Sequence, residues 1–142
     1  MINKPLYEVK LYLGSVRTRS DETGEAPLTV IYKTDLISEI GKFQDGVGGT
    51  VVPVRITDTT FVSGSDYEEG GWEVAAVSFP RTNHSHAKTL EFMVSLGYHL
   101  LDVFLQNRIC VLDYKENMTD DIYMLENKEA KPPYDPDRNY EF

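Results

Sequence analysis

The succession of apolar patterns predicts an α+β domain of the ferredoxin-like plan, βαββαβ. One antiparallel sheet would carry two helices on one face, and an extended acidic C-terminal tail would follow. Three observations lead there. Tyr7 to Leu13 alternates apolar and polar residues with a period of two. Two later stretches repeat apolar residues at helical spacing. Between them, a β-branched run returns through a glycine-rich turn.

In the opening strand, Tyr7, Val9, Leu11 and Leu13 alternate with Glu8, Lys10 and Tyr12, so one side is apolar. Gly14-Ser15 lets the chain bend, and Arg19 to Pro27 is turn-rich. Thr34 is in place to cap a helix from about Asp35 to Gln44, with Leu36, Ile37, Ile40 and Phe43 on one stripe. Asp45-Gly46 stops it. Thr50 to Val62 is rich in valine, isoleucine and threonine and reads as a strand, with Pro53 marking an edge position or an irregular start. Ser63 to Gly71 is a polar turn, and Trp72 to Phe79 is the strand that comes back. A long helix spans about Ala87 to Asn107. Arg108 to Tyr114 has little polar character and so belongs inside the sheet. Residues 1–114 would form the domain and 115–142 the tail, which holds four basic and eight acidic residues. Ile122 to Leu125 is the tail's apolar patch, fit to dock on the body or on a neighbour.

The long helix is more apolar than one sheet requires. On a helical wheel, its polar residues Glu91, Ser95, His99, Asp102 and Gln106 share a narrow sector. A helix on a sheet needs an apolar stripe of roughly 100°, and here the stripe is about twice that. A second cover is expected: the other helix, the tail, or another copy of the chain. Gly97, costing about 1 kcal/mol against alanine in mid-helix, fits a close approach there.

Composition narrows the function classes. Within 142 residues there are 14 basic and 23 acidic side chains, a net charge of −9, which argues against a general nucleic-acid binder. It leaves room for a small ligand held by two or three arginines. No apolar run approaches the roughly 20 residues of a membrane span, and no apolar signal region follows Met1 to Lys4. A lone cysteine, Cys110, suits a reducing compartment. A soluble protein of the cytoplasm is the expectation.

No catalytic motif stands out. His84-Ser85-His86 is the one close histidine pair, but no cysteine or paired carboxylate neighbours it in sequence, so no metal is expected. A second His-x-Ser/Thr element, which a two-histidine phosphoesterase would need, is missing. Arg81 to Lys88 leads into the long helix, where backbone N–H groups and Arg81 could meet a phosphate; ordinary capping by Asn83 or Ser85 explains the same residues. Arg55 and Arg108 sit in strands, where they face either a cleft or solvent. Tyr12, Trp72, Phe79 and Tyr98 could stack on a base, or serve the core.

The opening Val9-Lys10-Leu11-Tyr12-Leu13-Gly14-Ser15 resembles the start of a group of small phage proteins. So does the sequel: a capped helix ending near Phe43-Gln44-Asp45-Gly46, a long hairpin, and a helix closing in Leu105-Gln106-Asn107. Within that group the chain is similar to the Thoeris anti-defence 1 family over roughly Tyr7 to Tyr114. The insertion around Ser63 to Gly71 and the acidic tail depart from its shorter members.

The resemblance implies a sponge, not an enzyme: a phage anti-defence protein that sequesters a cyclic ADP-ribose isomer without cleaving it. It implies a homo-oligomer with pockets at subunit seams, no cofactor, and a stack-and-clamp site. Best fitted here are Tyr98 for the ring, Asn107 for the amide, and Arg55 and Arg108 for the phosphates, with Arg81 beside them. The alternatives are an acidic inhibitor that occupies a host defence enzyme, and a small phosphoesterase using His84 and His86.

Overall fold

The computed structural model describes residues 6–16, 30–48, 51–77, 84–115 and 120–127. Its elements run β1 (Tyr7–Gly14), α1 (Lys33–Gly46), β2 (Arg55–Val62), β3 (Glu68–Val77), α2 (His86–Val103), β4 (Arg108–Lys115) and β5 (Asp121–Glu126). Strand order is β2-β3-β1-β4-β5, antiparallel throughout. The first four strands and both helices are the expected ferredoxin-like plan. β5, from the segment read as tail, extends the sheet by one strand beside β4. Arg81, Phe79 and the residues from 128 onward lie outside the described residues.

β1 is central because its sequence alternates so strictly. Val9, Leu11 and Leu13 are fully buried and meet α2, while Glu8, Lys10 and Tyr12 face the opposite way. Leu11 stands between Val74 of β3 and Val111 of β4, which continues the apolar layer across three strands. Met93, Leu96 and Leu100 of α2, also fully buried, close over it. Each such side chain contributes about 1.5–3 kcal/mol over an exposed one.

The surplus apolar surface of α2 is covered from within the chain. Phe43 of α1 lies 5.5 Å from Phe92, ring to ring. On another side, Leu125 of β5 rests on Gly97, where an added Cβ would come within 2.5 Å of its methyl group. The glycine is there because β5 crosses the helix closely. Tyr98 stays 49% exposed on the outer side.

Some boundaries differ from the sequence expectation. α1 begins earlier, with Tyr32 at the N-cap and no side-chain cap bond, so Thr34 is inside the helix. Ile37, assigned to the buried stripe, is exposed; Leu36 and Ile40 carry the burial. Ser85 does cap α2, accepting from the Lys88 N–H at 3.1 Å. The helix ends at Val103, and the chain turns through Leu105 in a left-handed conformation, φ 48°. Buried Gln106 secures that corner: its amide donates to the carbonyls of Val16 and Phe104, each at 3.0 Å. β3 starts at Glu68, so half of the supposed turn is strand.

Gly71 pairs with Gly14, and a Cβ on Gly71 would run into the Leu13 carbonyl. Backbone cannot yield there as a flexible side chain could. Gly71→Ala is expected to destabilise the protein by about 1–3 kcal/mol, read as a lower urea midpoint at unchanged m-value.

Candidate functional site

Helices cover one face of the sheet; strand alternation decides what the other face displays. From β2 these are Arg55, Thr57, Thr59 and Phe61, and from β3 Glu69, Gly71, Glu73 and Ala75. β1 adds Glu8, Lys10, Tyr12 and Gly14. Most charges here are already matched. Arg55 donates to Glu8 at 3.0 Å, Lys10 stands 3.8 Å from Glu73, and Arg108 donates to Glu126 at 2.9 Å.

Glu69 differs. Among the described residues no cation pairs with it. Its carboxylate lies over the bare backbone of Gly14, in space that any side chain there would fill. Tyr67, two residues earlier, donates to the other carboxylate oxygen at 2.6 Å. That bond, with some burial and the nearby negative charge, holds the Tyr67 phenol above its ordinary value of 10.0. The phenol is therefore a hydrogen-bond donor at neutral pH and not a base. Phe61 pairs with Glu69 across the hairpin and meets Tyr12 edge-to-face, centroids 5.8 Å apart. The corner thus combines a two-glycine floor, an uncompensated carboxylate, a phenol and an aromatic wall. A carboxylate and a phenol beside a flat apolar wall suit a ligand with both hydroxyls and a ring system.

At the other end of this face is a shallow hollow of about 470 Å³ among Glu8, Lys10, Leu112, Tyr114, Asp120 and Ile122. It lies about 20 Å from the glutamate corner, six residues along β1.

The histidines serve structure. His84 Nε2 lies 3.0 Å from the Val51 carbonyl. His86 Nε2 lies 2.6 Å from Oδ1 of buried Asp113, whose Oδ2 is 3.3 Å from the Lys115 ammonium. Lys115 reaches Asp121 of β5 as well, at 3.1 Å, and these carboxylates raise its pKa, Asp121 most. His99 pairs with Glu39 at 3.3 Å. Among the described residues no group of three metal-binding side chains converges. Burial pushes the Cys110 thiol up, so it is a weak nucleophile at neutral pH.

The residues singled out from sequence are spread over one chain. Asn107 and Arg108 are neighbours at the start of β4, and the Asn107 carbonyl accepts from Asn127 N–H at 3.0 Å. Arg55 is three strands away. Tyr98 stands on α2, across the sheet from the open face, and Trp72 is core. Tyr67 and Glu69 were hidden in the segment read as turn. The signal for them was present: an i, i+2 pair before Gly70-Gly71 puts two polar groups on one side of an extended chain.

No family model and no curated protein matches this chain. Among solved structures, it is similar to a phage SAM lyase in the apo state, with a TM-score of 0.64 at 12% identity, covering 90% of this chain and 97% of that one. It is likewise similar to a phage SAM lyase in complex with S-methyl-5′-thioadenosine, with a TM-score of 0.65 at 12% identity, covering 92% and 97%. The shared property is the fold. The expectation of a non-enzyme is corrected here: both neighbours are an enzyme, a lyase. Among the described residues, no helix is long and apolar enough to cross a membrane.

Two outcomes check this description. Removing the carboxylate in Glu69→Gln lowers the Tyr67 phenol toward 10.0, seen as an earlier step in the ultraviolet titration that Tyr67→Phe abolishes. His86→Ala leaves the buried Asp113 carboxylate short of a partner and costs about 1–3 kcal/mol in chemical denaturation.

Proposed function

We propose that the chain binds S-adenosylmethionine on the open face of the sheet and cleaves it as a lyase, releasing S-methyl-5′-thioadenosine. The observation that carries this reading is Glu69: a carboxylate that no cation among the described residues pairs with, over a glycine floor, beside Tyr67 and the Tyr12–Phe61 wall. Ribose hydroxyls donate to Glu69, an arrangement in which the charge strengthens each hydrogen bond. The adenine ring lies against the aromatic wall. The ligand is a cation, and a protein of net charge −9 draws it in.

The chemistry asks little of the protein. The bond between sulfur and the amino-acid γ-carbon breaks, and both electrons go to sulfur. The leaving group is a neutral thioether that needs no proton. A lyase adds no water, so the γ-carbon must be satisfied within its own fragment. Attack by the substrate's own carboxylate closes a lactone with no proton transferred; elimination would need a base. Lactone closure thus leaves Glu69 and Tyr67 free to bind and not to move protons, and the work left to the protein is to hold the chain folded for attack.

This reading keeps the phage anti-defence role expected from sequence and replaces capture by cleavage. A cyclic ADP-ribose isomer would bring two phosphates, whereas Arg55 and Arg108 are each bonded to a carboxylate. The expected homo-oligomer remains part of the proposal, because the open face leaves apolar side chains in water.

The test is incubation with S-adenosylmethionine, followed by mass spectrometry. The expected product is S-methyl-5′-thioadenosine. Glu69→Gln is expected to lower kcat/KM by about 10- to 100-fold, the effect of losing a charged hydrogen-bond partner, with an unchanged circular-dichroism spectrum. Intact substrate, together with thermal stabilisation by a cyclic ADP-ribose isomer instead, would overturn the reading. At 100 times its dissociation constant a ligand stabilises by about 2.7 kcal/mol.

A further inference from the structure

β5 is the rim of the sheet; one side pairs with β4, and among the described residues nothing pairs with the other. Sheet rims are usually guarded by lysine, proline, a bulge or an inward charge. The opposite rim, β2, has Thr57, Asp58, Thr59 and Thr60 in its middle. β5 reads Asp-Ile-Tyr-Met-Leu-Glu, with no lysine, proline or glycine and four apolar residues at its centre. Ile122 is 70% exposed, Met124 55% and Tyr123 37%.

We infer that this rim is a self-pairing surface: two copies of the chain join β5 to β5, antiparallel, about a two-fold axis at Tyr123, giving a continuous ten-stranded sheet. Geometry selects the register. Directly opposed residues must share a face. In β5 the even-numbered residues share the open face, as Ile122 opposite Leu112 does, while Tyr123 and Leu125 share the helix side. The axis must therefore pass through a residue. Centred on Tyr123, Ile122 faces the partner's Met124, and Met124 faces the partner's Ile122. Centred on Ile122, Met124 would oppose the partner's Asp120. Centred on Met124, Ile122 would oppose the partner's Glu126. Tyr123 alone matches apolar with apolar on the open face.

Charge is the cost of this register. It sets Glu126 against the partner's Asp120 and Asp121 against the partner's Leu125. Arg108 holds Glu126 at 2.9 Å and Lys115 holds Asp121 at 3.1 Å, so both of these carboxylates are neutralised within their own protomer, while Asp120 accepts from the backbone N–H of Lys115 at 3.2 Å. The apolar pairs at the centre of the strand set the register against that single unmatched acid at each end. This inference is independent of the lyase reading, because neither Glu69 nor Tyr67 takes part.

The experiment uses the full chain and sedimentation velocity over a concentration series. Wild type is expected to dimerise. Ile122→Lys with Met124→Lys, both solvent-facing, is expected to weaken the dimer by about tenfold or more, with unchanged circular dichroism. In a Cys110→Ser background, mild oxidation is expected to link Tyr123→Cys into a covalent dimer, because that residue meets its own copy, and to leave Asp120→Cys unlinked. Three results overturn the inference: a wild type that stays monomeric, a dimer that the lysine pair leaves intact, or Asp120→Cys linking as readily as Tyr123→Cys.

Discussion

Val9, Leu11 and Leu13 reach from β1 into the shell formed by Met93, Leu96 and Leu100 of α2, and none of the six is reached by water. Once that side of β1 is committed to the helix, strand geometry assigns every other side chain of the sheet. Glu8, Lys10 and Tyr12 have to face the open side, and so do the residues that pair with them on β3 and β4. The glutamate corner is a product of that assignment. Gly14 continues the outward series of β1, Gly71 answers it across the ladder, and Glu69 lies over the gap the two glycines leave. A slip of one residue in β3 would send Glu69 into the core, and the same slip in β1 would bring Leu11 out.

Much of this was legible in the residues. The alternation in Tyr7 to Leu13 is a local signal, and it named both the strand and its buried side. The excess apolar arc of Ala87 to Asn107 was also real, and it did demand a second cover. What could not be read was which body supplied it. Leu125 settles over Gly97 only because β5 pairs with β4, a pairing decided by register between segments and not by either segment alone. The same limit hid the site. Ser63 to Gly71 looks like turn chemistry because glycine, serine and aspartate dominate it. Yet Glu68 to Gly71 is held as strand by partners on β1 and β2. Tertiary pairing overrode local propensity there, as it often does in sheets.

The arginines teach a related lesson. Seen in sequence, Arg55 and Arg108 are cations awaiting an anion; in the fold each meets a carboxylate of a neighbouring strand. Charge on a sheet face is paired by register before any ligand arrives, so a carboxylate such as Glu69, which no cation among the described residues matches, tells more than a matched cation. The non-enzyme expectation failed for a different reason: it came with the family resemblance and was not read from any residue of this chain.

The corner after α2 joins distant parts of the chain. Leu105 holds a backbone conformation that costs a non-glycine residue about 1 kcal/mol or more, and the amide of Gln106 offsets it by bonding to Val16, 90 residues away in the chain. That bond cannot close until the first strand and the last helix are both seated. The first strand's end and the turn into the fourth strand are thereby tied at one point, so that the helix cannot be prised from the sheet at this corner without stranding a buried amide.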